Sequence, residues 1–125
     1  MTAPNRFKAI HIKPLASGLW LIDPVELPVP VSRKVEAIQK LVDGYFEVYT
    51  AKVARKNVLV YVNDEALVKG ESRGFILGEC PPLFGSAVIV AAKDNTDLNL
   101  SNKQMSNALR IFDTTKPSTK PSTTA

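Results

Sequence analysis

Strongly β-patterned runs interleaved with two stretches of helical period predict an α+β fold. The expected architecture is a mostly antiparallel sheet of about five strands with two helices packed on one face and a disordered C-terminal tail. Three observations carry this. Residues 58–62 (VLVYV) and 86–92 (SAVIVAA) are continuous apolar runs suited to central strands. Residues 45–52 (YFEVYTAK) alternate and lie a short linker before the first of these runs, as in an antiparallel hairpin. Residues 33–43 and 102–112 each repeat apolar side chains every three to four positions.

In chain order, residues 7–13 (FKAIHIK) read as a strand stopped by Pro14, with Ile10 and Ile12 on its inward face. Residues 19–22 (LWLI) follow the Ser17-Gly18 turn as a short strand. Asp23-Pro24 ends it, and Pro28 and Pro30 hold 27–31 extended. Ser32 is the expected N-cap of a helix over 33–43, whose stripe is Val35, Ile38, Leu41 and Val42. Gly44 is its expected left-handed C-terminal cap. Residues 66–79, punctuated by Gly70, Gly74 and Gly78, form a loop with short extended pieces. Ser101 and Gln104 have capping-box spacing and open the second helix, 102–112, with Met105, Ala108, Leu109 and Phe112 on its apolar face. The expected core is Ile10, Ile12, Leu21, Val35, Ile38, Leu41, Val42, Phe46, Val48, Leu59, Val60, Val88, Val90, Met105, Leu109 and Phe112.

The 125 residues amount to one domain, taken as 1–113, with 114–125 as the tail. The tail reads TTKPSTKPSTTA, with no aliphatic anchor to offset the entropy of ordering it. It carries two lysines and no acid, so 14 basic and 12 acidic groups leave the body at only +2 out of the total +4. That balance is weak support for a polynucleotide partner. Cys80 is the only cysteine, which excludes an intrachain disulfide and a four-cysteine zinc site. The longest apolar runs fall far short of the roughly 18–20 residues of a membrane helix. No apolar segment with a cleavage site follows the proline-broken start. The expectation is a soluble, cytoplasmic protein with no membrane association.

Few residues can carry chemistry. His11, the only histidine, lies within a strand and has no Cys, Asp or Glu at metal-ligand spacing, so it reads as a packed side chain. Cys80 has Glu79 beside it and reads as a passive thiol. Asp64 and Glu65, the adjacent carboxylates, sit at a turn, where they are solvated. No acid, base and nucleophile set can be assembled, so no catalytic residue, metal or cofactor is expected, and the protein reads as a non-enzyme. Two clusters remain. Lys69 and Arg73 flank Gly70 and Gly74, combining positive charge with backbone donors suited to a small anionic, nucleotide-like ligand. Lys52, Arg55 and Lys56 cluster at the hairpin tip, where they could meet phosphates.

Three segments together resemble a known family. They are K-A-x-x-I-x-P at 8–14, A-I-Q-K-L-V-D-G-Y-F-E-V at 37–48 and V-L-V-Y-V-N-D-E at 58–65. The specific part is Ile38, Gln39, Val42, Gly44, Tyr45, Glu47 and Val48. The chain resembles, over about 8–112, a small family of bacteriophage and plasmid genomes catalogued as a domain of unknown function. The resemblance implies a genomic setting rather than a reaction. The expected function is that of a phage or mobile-element accessory protein, with a host-interaction or anti-defence role. It would bind a host protein or sequester a small anionic ligand, and could form a homo-oligomer. The alternative is a nucleic-acid-binding or regulatory module.

Overall fold

The computed structural model describes residues 6–93 and 95–115. The chain runs β1 (Arg6–Pro14), β2 (Trp20–Pro28), α1 (Val31–Val42), β3 (Phe46–Val53), β4 (Lys56–Asn63), β5 (Arg73–Leu77), β6 (Leu83–Phe84), β7 (Ala87–Ala91), α2 (Asn102–Ala108) and β8 (Leu109–Asp113). Five strands form an antiparallel sheet in the order β2-β1-β7-β4-β3, and β6-β5-β8 form a second, three-stranded sheet. The α+β class and the antiparallel sheet of five strands are as the sequence predicts.

The helices are not on one face, as expected, but on opposite faces of the large sheet. Successive side chains of a strand point to opposite sides. Phe7 and Ala9 of β1 join Leu27, Val88, Val90 and the α1 residues Ile38 and Val42 in one buried cluster. Ile10 and Ile12 join Val58, Val60, Ile89, Phe75, Leu77 and the α2 residue Met105 in the other. The layers are therefore α1, the five-stranded sheet, and then the small sheet with α2. Strand β1 is buried on both faces, where the pattern suggested one inward face, and Phe7, Phe75, Leu77 and Ile89 are core residues it did not single out.

Several local expectations change for identifiable reasons. The second strand runs through Pro24 to Pro28 and pairs with β1 along its whole length, from Pro14 opposite Trp20 to Arg6 opposite Pro28. It is an edge strand, so a proline's missing donor can be tolerated. Pro30 rather than Ser32 is the α1 N-cap, and Ser32 lies inside the helix. The left-handed C-cap is Asp43, at φ 64°, with Gly44 following it and donating its N–H to the Gln39 carbonyl. The Ser101–Gln104 capping box forms, but α2 ends at Ala108. Leu109–Asp113, predicted helical through Phe112, pairs with β5 instead, from Leu77 opposite Leu109 to Arg73 opposite Asp113. A short stretch that is apolar at Leu109, Ile111 and Phe112 fits either period, and here the β5 edge supplies the main-chain partners. Val48, expected in the core, is 47% exposed. The Thr114 N–H donates to the Ser72 carbonyl, so the ordered chain extends past Asp113. The rest of the expected tail, 116–125, lies outside the described residues.

Candidate functional site

Between β4 and β5 the chain makes one tight helical turn. The Lys69 N–H donates to the Glu65 carbonyl at 2.8 Å, and the Glu71 N–H donates to the Ala66 carbonyl at 2.9 Å. Gly70, at φ 97°, closes the turn in a conformation that L side chains rarely adopt. Ala66 is buried and anchors it. The turn is also fastened to the end of α1: the Asn63 side-chain amide donates to the Val42 and Asp43 carbonyls, each at 2.9 Å, and the Asp64 N–H donates to the Tyr45 carbonyl. An open cavity of about 450 Å³ lies at this end, lined among others by Asp43, Asn63, Lys69, Gly70, Glu71 and Arg73.

Three of the four loop residues singled out from the sequence, Lys69, Gly70 and Arg73, thus line one cavity. Gly74 does not. It sits in β5, where an added Cβ would fall 2.5 Å from the Leu83 carbonyl oxygen and 2.6 Å from the Phe112 ring, so its small size serves packing. Both cations already have carboxylates. The Arg73 Nε lies 3.0 Å from Glu71 Oε2, and Nη1 donates to the Leu15 carbonyl. Burial alone would raise the Glu71 carboxyl, but the Arg73 hydrogen bonds and charge outweigh it and hold it below its ordinary value. Lys69 pairs with Glu65 at 3.5 Å, with both groups more than half exposed. With Asp43 also on the wall, the two cations face at least as many carboxylates, and the cavity has no excess of positive charge to concentrate an anion.

Beside these charged groups the turn also exposes apolar side chains. Val68 is 87% and Leu67 59% exposed, and Tyr45, whose carbonyl accepts from Asp64, is 70% exposed. The sequence does not single out Leu67 and Val68, because residues in a loop carry no periodicity from which a direction can be inferred. The Glu71-x-Arg73 spacing was a legible sign of the ion pair, since residues two apart in an extended segment lie on one side.

The hairpin-tip cations are not brought into that cavity. Val53 and Lys56 close a two-residue turn whose central residues, Ala54 and Arg55, both have positive φ, 50° and 68°. That is the geometry of a twisted hairpin turn normally filled by Asn and Gly. Lys52 and Arg55 are exposed. Lys56 Nζ donates to the Asn99 carbonyl at 2.7 Å and is held along the body.

His11 lies under α1, with Nε2–H donating to the Leu41 carbonyl at 3.0 Å. Burial lowers its basicity and Lys13 adds to that, while the Leu41 bond and Asp23 oppose it; the net direction is down from 6.5. The unfolded chain therefore takes up the proton first. The histidine's contribution to stability is full above pH 6.5 and is lost as the pH falls through the lower, folded-state value. Urea midpoints should fall between pH 7.5 and pH 5.5, above the carboxylate range. His11→Gln should flatten that interval, and an undiminished slope would place its origin elsewhere. Cys80 is buried, and burial pushes its thiol up, away from the reactive thiolate.

No described helix is long and apolar enough to cross a membrane. A family model described as Domain of unknown function (DUF3846) matches residues 19–113. The match includes the 37–48 and 58–65 segments, while the 8–14 strand precedes it. No curated protein matches the chain, and no solved structure does.

Proposed function

We infer that this chain, which belongs to the DUF3846 family, is a non-enzymatic accessory protein that acts by binding another protein through the end formed by Tyr45 and the Glu65–Gly70 turn. The observation that carries the reading is a contrast within that turn. Its backbone is held by the hydrogen bonds of Lys69, Gly70 and Glu71, yet Leu67 and Val68 are held out in water. A well-fastened loop that exposes adjacent apolar side chains fits a partner's surface better than it fits solvent. The paired state of Lys69 and Arg73 weighs against the small-anion reading. The finer setting, a phage or plasmid protein with a host protein as target, rests on the sequence resemblance over about 8–112 carried by the segments at 8–14, 37–48 and 58–65.

The test combines a Leu67→Ser/Val68→Lys variant with three ligand classes. Both side chains are exposed, so the variant should stay within about 0.5 kcal/mol of the parent. Proteins crosslinked to the parent in host cells should disappear with the variant. Neither a nucleotide panel nor a short duplex should shift the melting temperature. A nucleotide-induced rise abolished by Lys69→Ala/Arg73→Ala would replace this reading with anion binding. Salt-sensitive duplex binding abolished by Lys52→Ala/Arg55→Ala would replace it with nucleic-acid binding.

A further inference from the structure

The two edges of the five-stranded sheet are finished differently. β2 carries Pro24 and Pro28, with Asp23 and Glu26 exposed, features that discourage another strand from adding. β3, at the opposite edge, has no proline and presents exposed Val48 and Thr50.

The hairpin register determines which main-chain groups of β3 are free. Val53 opposite Lys56 closes the two-residue turn, so the odd-numbered residues of β3 exchange hydrogen bonds with β4. The Asp64-to-Tyr45 bond continues that alternation. The N–H and C=O groups of the even-numbered residues therefore point outward. At one end this edge is closed, because the Gly78 main chain lies so close that an added Cβ would be 2.6 Å from the Lys52 carbonyl oxygen. That leaves Phe46, Val48 and Thr50. Among the described residues no backbone hydrogen bond from a turn, loop or cap reaches their outward main-chain groups.

These three residues are symmetric about Val48. We propose that β3 pairs with β3 of a second copy of this chain across a two-fold axis at Val48, joining the two sheets into one of ten strands. A two-fold perpendicular to the sheet keeps each face on its own side, so directly opposed residues must have numbers of the same parity. Centring on Val48 alone engages all three free residues. Val48 lies opposite Val48 of the second copy, and Phe46 and Thr50 lie opposite each other twice. On the other face each Glu47 lies opposite a Tyr49. Within one chain the Tyr49 hydroxyl already donates to Glu47 Oε2 at 2.7 Å, and the same pair of groups would meet across the axis. No like charges are opposed in this register. A centre at Thr50 would instead drive Lys52 and its closed edge into the partner.

Sedimentation equilibrium over a concentration series should give a mass approaching twice 13.7 kDa for the full chain. Val48→Lys places two ammonium groups opposite each other and should give the mass of one chain. Val48→Pro removes only an outward donor and should do the same, with the circular dichroism of the parent for whichever variant folds. Val48→Cys adds a thiol at the axis while Cys80 stays buried, and a short bis-maleimide should link two chains through it. A parent that stays at one-chain mass throughout, or a dimer that neither substitution dissociates, overturns the proposal. So does a Val48→Cys protein that is dimeric yet not crosslinked.

Discussion

Phe75→Ala is expected to destabilise the protein by about 3–5 kcal/mol. Phe75 is fully buried at the centre of β5, between β6 and β8, with its ring edge-on to Trp20 at 5.8 Å. It belongs to the cluster in which the small sheet and Met105 of α2 meet Ile12, Val60 and Ile89 of the large sheet. Removing the ring leaves a void between two layers whose main chains are tied into separate ladders and cannot easily close it. Trp20, the only tryptophan, reports the loss directly by fluorescence in a urea titration. Phe75→Leu keeps much of the volume and should cost less. An alanine variant with the parent's midpoint would mean that the small sheet does not pack on the large one.

Ile38→Ala is expected to cost about 2–5 kcal/mol on the opposite side of the sheet. Ile38 is 1% exposed, on the face of α1 that covers Phe7, Leu27, Val88 and Val90. A midpoint unchanged from the parent would put Ile38 on the solvent side and rotate the helix. The two clusters share no residue. The conservative changes Ile38→Val and Phe75→Leu should therefore add to within about 0.5 kcal/mol in the double variant. Strong coupling would instead indicate one continuous core and helices on a common face.

The large sheet was legible because its central strands, β4 and β7, are apolar enough to allow few other placements, and because α1 has a clean stripe. The 109–113 segment was not legible. Met105, Ala108, Leu109 and Phe112 satisfy a helical period, while Leu109, Arg110 and Ile111 fit the period of a strand, and only the vacant edge of β5 separates the two. The candidate site was legible as a charge pattern but not as a charge balance. Lys69 and Arg73 stand out in the loop, with Glu65 and Glu71 four and two positions before them, but whether those pairs close depends on how the turn folds, and the Leu15 carbonyl that also accepts from Arg73 comes from far along the chain.

What the sequence determined by itself were properties set by neighbours along the chain: the period of the central strands and of α1, the 101–104 capping box and the antiparallel pairing of 45–52 with 58–62. What only the tertiary structure decided was which surfaces meet. The opposite placement of α1 and α2, the survival of a strand through Pro24 and the exposure of Val48, Leu67 and Val68 all depend on how segments far apart in sequence come together. Local pattern states that a residue has an apolar or charged side chain. Whether that side chain is covered is settled by the layer that arrives on top of it, and that information lies in the whole chain at once.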